Sequence, residues 1–204
     1  MQNKLVIATG NQNKMEEIKA LLQGLPLKVV TIKDYPGLKM PEEDRDTFHG
    51  NAAKKAETVA AFTGEMALAD DSGLEVDALG CRPGVLSARY AGTEGDYEAN
   101  NRLLLKEMQG VPPEKRGARF VAVIAISAPG DKTYFVRGVC SGRIAEEPRG
   151  SGGFGYDPLY IYEPAGMTFA EMPAEKKNLV SHRARALRQA RELLGRLLAE
   201  KRIP

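Results

Sequence analysis

The chain predicts an α/β fold, a mixed central β-sheet flanked by helices, and three observations carry that expectation. Short apolar runs at 5–8, 27–32 and 66–69 read as buried strands. The segments between them switch to helical spacing, with Met15, Ile18, Leu21 and Leu22 on one face and Ala52, Ala56, Val59 and Ala60 on another. Strand, helix, strand, helix, strand is the order that lays helices on a sheet.

Each element has its own signal. The first strand ends at Thr9-Gly10-Asn11, a turn, and a helix follows from Lys14. After the second strand, residues 34–46 are rich in proline and acid and read as a loop. The next helix is expected from about Asn51 to Phe62. The third strand, 66–69, is expected to stop at Asp70-Asp71-Ser72-Gly73. Residues 81–95 are loop-like, and Asp96 to Met108 is helical. Two β-rich runs, 120–126 and 133–141, flank Ala128-Pro129-Gly130-Asp131, a hairpin turn. Ser181 can cap a last helix running to about Lys201, with Leu187, Ala190, Leu194 and Leu197 as its buried stripe. The expectation is one domain over residues 1–204, splayed into two lobes.

Bulk composition excludes several functions. With 29 basic and 27 acidic residues and a net charge of +2, the chain lacks the footprint of a protein that binds a long nucleic-acid polymer. A small anionic ligand needs only a local cluster. Cys81 and Cys140 have neither metal-ligand spacing nor a framework pattern. They read as free thiols of a reducing compartment, with a disulfide as the alternative. No signal peptide precedes the first strand and no apolar stretch reaches membrane-spanning length, so a cytoplasmic protein without membrane contact is expected.

Four segments carry chemistry. Thr9-Gly10-Asn11-Gln12-Asn13-Lys14 joins a strand end to a helix start. Ligands of α/β sheets bind there, and free backbone N–H groups favour an anion. Thr9 and Asn11 add neutral hydrogen-bonding groups and Lys14 a positive charge, which together suit a triphosphate. The same residues also suit any strand-to-helix turn, and the paired glycines of a Walker A loop are missing.

Asp70 and Asp71 follow an apolar run, where carboxylates are costly unless a cation or hydrogen bonds compensate them. Neighbouring strand residues face opposite ways, so the two aspartates should have separate tasks, one on a metal and one on the turn. Magnesium takes one or two carboxylates plus phosphate and water. An acidic turn without a metal is the alternative. Glu42 and Glu43 can supply a second carboxylate from the loop, although such pairs are commonly solvated surface.

Gly150-Ser151-Gly152-Gly153-Phe154-Gly155-Tyr156-Asp157-Pro158 lets the backbone approach a ligand closely. Phe154 can stack on a base there, or simply pin a flexible loop. Lys176-Lys177-Asn178 with Ser181-His182-Arg183 places positive charge at a helix start, against the helix dipole. His182 and Arg183 would face an anion or the carbonyl edge of a base; a surface histidine beside a basic helix is the alternative.

Taken in order, TGNQNK at 9–14, TFHGNAAKKA at 47–56, ADDSGLEVDALG at 69–80, RPGVLSARYAG at 82–92, GFGYDP at 153–158 and KNLVSHRARAL at 177–187 resemble the inosine triphosphate pyrophosphatase, or Ham1-like, family. The resemblance spans almost the whole chain. It implies hydrolysis of deaminated purine triphosphates (dITP, ITP, XTP) to monophosphate and pyrophosphate, in a homodimer whose two lobes enclose a substrate cleft. It implies that Thr9, Gly10, Asn11, Gln12, Asn13 and Lys14 bind phosphates. Glu42 and Asp71 would hold Mg2+, with Asp71 also the proton acceptor. Ser72, Phe154, Gly155, Tyr156, Asp157, Lys177, His182 and Arg183 would complete the substrate site. Where the family has Glu-Glu-Thr-Gly, this chain has Glu42-Glu43-Asp44-Arg45, which leaves open which glutamate reaches the metal. His49, where the family often has an acid, reads as surface. A Maf-like pyrophosphatase and a nucleotide-binding regulator without catalysis are the rival readings.

Overall fold

A computed structural model describes residues 3–200. The elements are β1 (Lys4–Ile7), α1 (Gln12–Leu22), β2 (Lys28–Thr31), α2 (Phe48–Thr63), β3 (Met66–Val76), α3 (Tyr97–Glu107), β4 (Gly117–Ser127), β5 (Tyr134–Ile144), β6 (Tyr160–Tyr162), β7 (Met167–Thr168), α4 (Ala174–Val180) and α5 (His182–Ala199). The strands form one sheet in the order β2-β1-β3-β4-β5-β6-β7. β1 runs parallel to β2 and β3, whereas β6 is antiparallel to β5 and β7, so the sheet is mixed.

Helix starts follow local side-chain chemistry. Asn11 caps α1 by accepting from the Lys14 N–H, Thr47 caps α2 through Gly50, and Asp96 caps α3 through Ala99. With Thr47 as its cap, α2 begins at Phe48, three residues before the expected Asn51, and Gly64, at φ 69°, ends it in the left-handed conformation. In α5 the expected stripe of Leu187, Ala190, Leu194 and Leu197 is buried. Lys201, the expected end of that helix, lies outside the described residues.

One expectation is corrected. β3 does not stop at Ala69 but runs through Asp70 and Asp71 to Val76. Burial of two carboxylates ends a strand only if nothing compensates them, and here cations from α1, α2 and α5 do so. The short strands β6 and β7 and the helix α4 carry too few residues for a periodic signal in the sequence.

Two compact units divide the described chain. The first comprises 3–71, 122–138 and 183–200, the second Ser72–Val121 and Val139–His182. The first has a core of Leu5, Ile7, Ile18, Leu68, Ile124 and Leu187 with their neighbours. The second is built on Leu74, Leu104, Phe120, Leu159, Tyr160 and Phe169. Cys81 is exposed and Cys140 buried, and the two are not joined in a disulfide. No helix among the described residues is long and apolar enough to cross a membrane.

Candidate active site

In the first unit the chemistry gathers around β3. Asp70 is 1% exposed and accepts two ion pairs, from Lys14 Nζ at 3.0 Å to Oδ2 and from Arg183 Nε at 3.2 Å to Oδ1. Burial opposes its charge, but Lys14 and then Arg183 hold the carboxyl far below the usual aspartate range. Arg183, buried as well, gives its Nη1 to Glu17 at 2.6 Å. The Asp70 carboxylate is thus an anchor for two cations and not an element of a turn.

Asp71 has a different environment. It is 4% exposed; its Oδ1 accepts from Lys55 Nζ at 3.1 Å, while its buried Oδ2 has no hydrogen-bond partner among the described residues. Burial pushes the Asp71 carboxyl up, Lys55 opposes the shift, and the nearby Glu43 charge adds to it. Lys55 Nζ also donates to Glu43 Oε1 at 2.6 Å and to the Asp70 carbonyl at 2.8 Å. Burial works against the ammonium, but Asp71 and Glu43 outweigh it, so Lys55 keeps its proton more firmly than a free lysine.

These contacts separate the two glutamates. Glu42 is exposed, and its backbone carbonyl accepts from Lys54 Nζ at 2.9 Å. Glu43 is the one whose carboxylate shares a cation with Asp71. The open Asp71 oxygen and the neighbouring Glu43 carboxylate form a hard oxygen donor set that fits magnesium.

The turn before α1 is formed by its own side chains. Thr9 Oγ1 accepts from the Asn11 N–H at 3.2 Å, and Asn11 Oδ1 from the Lys14 N–H. Gly10, Gln12 and Asn13 are exposed, and Gln12 bonds to Glu16. A helix N-terminus with N–H groups and Lys14 is therefore presented by the same unit that holds Asp71.

In the second unit the glycine loop is pinned by Asp157. Asp157 Oδ2 accepts from the Phe154 N–H at 2.8 Å and from Lys177 Nζ at 2.5 Å. The Lys177 ammonium lies 4.8 Å from the Phe154 ring centroid and 5.7 Å from that of Phe169, a cation–π contact on each. Gly153, at φ 72°, has no room for a side chain, because a Cβ would come within 2.0 Å of Asp157 Oδ2. Gly153→Ala is expected to cost roughly 1–3 kcal/mol in chemical denaturation through strain in this loop; wild-type stability would show that the loop is not held this way. Asn101 Nδ2 donates to the Gly155 carbonyl at 3.0 Å.

Several residues expected in the substrate site have partners within the protein. Tyr156 is buried and donates its hydroxyl to the Ser87 carbonyl at 3.0 Å. His182, 6% exposed, stacks on Phe120 at 4.7 Å between centroids, so it is not a surface histidine. Lys177 and Arg183 are committed to buried carboxylates. Ser72 is half-buried in β3, and Phe154 is half-buried beside the Tyr97 ring at 6.2 Å.

Lys55 and Glu17 were missed in the sequence. Lys55 had a usable signal, since it falls on the inward stripe of α2 with Ala52, Ala56 and Val59. A lysine within an apolar stripe needs a buried partner.

The architecture defines a mixed α/β protein whose first strand-to-helix turn accompanies buried, cation-matched carboxylates. A profile of the Ham1 family matches residues 5–193. The chain is 52% identical over 194 residues to a dITP/XTP pyrophosphatase of Desulforamulus reducens, covering 95% of this chain and 96% of the relative. A dITP/XTP pyrophosphatase of Geobacter sulfurreducens is 51% identical, with 94% and 96% covered. Among solved structures, a HAM1 protein from Coxiella burnetii superposes with a TM-score of 0.88 at 37% identity, covering 95% of this chain and 99% of that one. A nucleoside-triphosphatase/dITP/XTP pyrophosphatase from Mycobacterium abscessus gives 0.79 at 41% identity, with 92% and 98% covered. This chain is a member of the Ham1 family.

Proposed function

We propose that this protein is a magnesium-dependent pyrophosphatase that hydrolyses dITP, ITP and XTP to the monophosphate and pyrophosphate. The observation that carries the reading is the buried Asp71 carboxylate with one open oxygen, in the unit that also presents Lys14 at a helix N-terminus. The names of the relatives above supply the reaction class.

Water attacks the α-phosphorus, the α–β anhydride bond breaks, and pyrophosphate leaves with the bridging oxygen. Asp71 orients the water and takes its proton at Oδ2, for which a carboxyl pushed up by burial is better suited than an ordinary aspartate. Glu43, in place of Glu42, would hold magnesium with Asp71. Bound there, the metal would neutralise phosphate charge and polarise the phosphoryl oxygens. The N–H groups at the start of α1 and the Lys14 ammonium receive the phosphates. Asp70 and Arg183 act behind them, fixing Lys14. In the second unit, Lys177 and Asp157 hold the loop whose Phe154 ring offers a stacking face for a purine.

Preference over adenine follows from one acceptor, whereas guanine shares it and must be refused through its 2-amino group. Hypoxanthine and xanthine carry O6 where adenine carries a donor amino group, and N–H groups set to receive O6 lose their partner with adenine. In a magnesium-dependent assay of pyrophosphate release, ITP or XTP is expected to exceed ATP and GTP in kcat/KM by at least about tenfold. Equal values across the four nucleotides would refute the specificity, and release of orthophosphate in place of pyrophosphate would refute the reaction. The family resemblance extends this reading to a homodimer in the cytoplasm, and sedimentation of the purified chain tests the dimer.

A further inference from the structure

Lys55 occupies an unusual position for a lysine. It is 6% exposed, and its three ammonium contacts are Glu43 Oε1, the Asp70 carbonyl and Asp71 Oδ1, at 2.6, 2.8 and 3.1 Å. An ammonium has three N–H donors, so this one is saturated. It therefore lies on the two carboxylates that form the oxygen donor set for a divalent cation.

We propose that Lys55 is the resident counter-cation of Glu43 and Asp71, and that it makes the divalent metal enter together with the triphosphate and not ahead of it. The proposal rests on the pyrophosphatase reading above. Charge decides the order. Among the seven side chains of the cluster, Glu17, Glu43, Asp70 and Asp71 face Lys14, Lys55 and Arg183, leaving one net negative charge. A dication arriving alone meets an ammonium within hydrogen-bonding distance of both carboxylates it needs. Magnesium also gives up its water reluctantly, and a single uncompensated charge is a weak inducement. A triphosphate changes the balance, because it brings several negative charges with the metal and gives the Lys14 and Lys55 ammoniums new counter-charge. A lysine in the apolar stripe of α2 is then explained by its charge and not by packing.

The test uses the full chain and Mn2+ as the metal probe, followed by the paramagnetic resonance signal of the free ion. Wild type is expected to bind Mn2+ at least about tenfold more tightly when a non-hydrolysable α,β-methylene analogue of dITP is present, after subtraction of the Mn2+ that the analogue binds without protein. Without nucleotide, Lys55→Met is expected to bind Mn2+ at least about tenfold more tightly than wild type, whereas Lys55→Arg, which keeps the charge, gains nothing. Two results overturn the proposal: wild type binding Mn2+ equally well with and without the analogue, or a folded Lys55→Met with unchanged or weaker Mn2+ affinity. Should circular dichroism show Lys55→Met unfolded, the two wild-type titrations decide alone. Failure of the underlying reading is separate, appearing as wild-type protein that releases no pyrophosphate from dITP or XTP.

Discussion

Asp71→Asn is expected to lower pyrophosphate release from dITP by at least about 10³-fold while leaving the protein folded. The substitution is nearly isosteric, and the asparagine carbonyl can still accept from Lys55 as Oδ1 does now. What disappears is the negative charge and the open Oδ2, the atom assigned to the water proton and the metal. The stability effect has a definite sign. Because the folded Asp71 carboxyl is raised above its ordinary value of 3.8, its favourable contribution is complete below that value and is lost as pH rises through the folded one. At neutral pH the ionised group weighs against the fold, so the Asn variant should gain in Tm relative to wild type as pH rises from about 4 to about 7. Turnover within tenfold of wild type in a folded variant would sink the assignment.

The contrast between the two aspartates also shows what the sequence could carry. Apolar runs and helical spacing made the first three strands and α1, α2 and α5 legible, because burial periodicity is a local property of the chain. The caps at Asn11, Thr47 and Asp96 are local too. The continuation of β3 through Asp70 and Asp71 was not legible. It depends on Lys14, Lys55 and Arg183, which lie 56, 16 and 113 positions from their partners and compensate the carboxylates only after folding. The same long-range pairing explains the site residues. The order of motifs pointed to Asp71, Lys14, Asp157 and Lys177, but it did not separate residues that meet solvent from those that fix others. Tyr156, His182 and Arg183 turn out to be buried, a consequence of which core each element covers. That Glu43, and not Glu42, shares the Lys55 ammonium with Asp71 depends on the reach of Lys55 from α2, which only the folded chain shows.

Asp70→Asn is the complementary experiment, with its main effect on stability. Removing one member of a buried ion pair strands the other, at about 3–5 kcal/mol. The low end applies here, since Arg183 keeps Glu17 and the Lys14 side chain, at 17% exposure, can recover some hydration. A loss of about 3 kcal/mol corresponds to a Tm lowered by roughly 10 °C in a chain of this size. The pH dependence has the opposite sign to that of Asp71. The folded Asp70 carboxyl lies below its ordinary 3.8, so its contribution is complete above that value and is lost as pH falls toward the folded one. The Tm gap between wild type and Asp70→Asn should therefore stay constant from about pH 5 to 8 and narrow under more acid conditions. A gap that widened on acidification, or no gap at neutral pH, would mean that Lys14 and Arg183 are held in place by something other than Asp70. With both variants in hand, loss of chemistry without loss of fold at 71 and loss of fold at 70 would divide one acidic pair into a reacting group and the post that carries its cations.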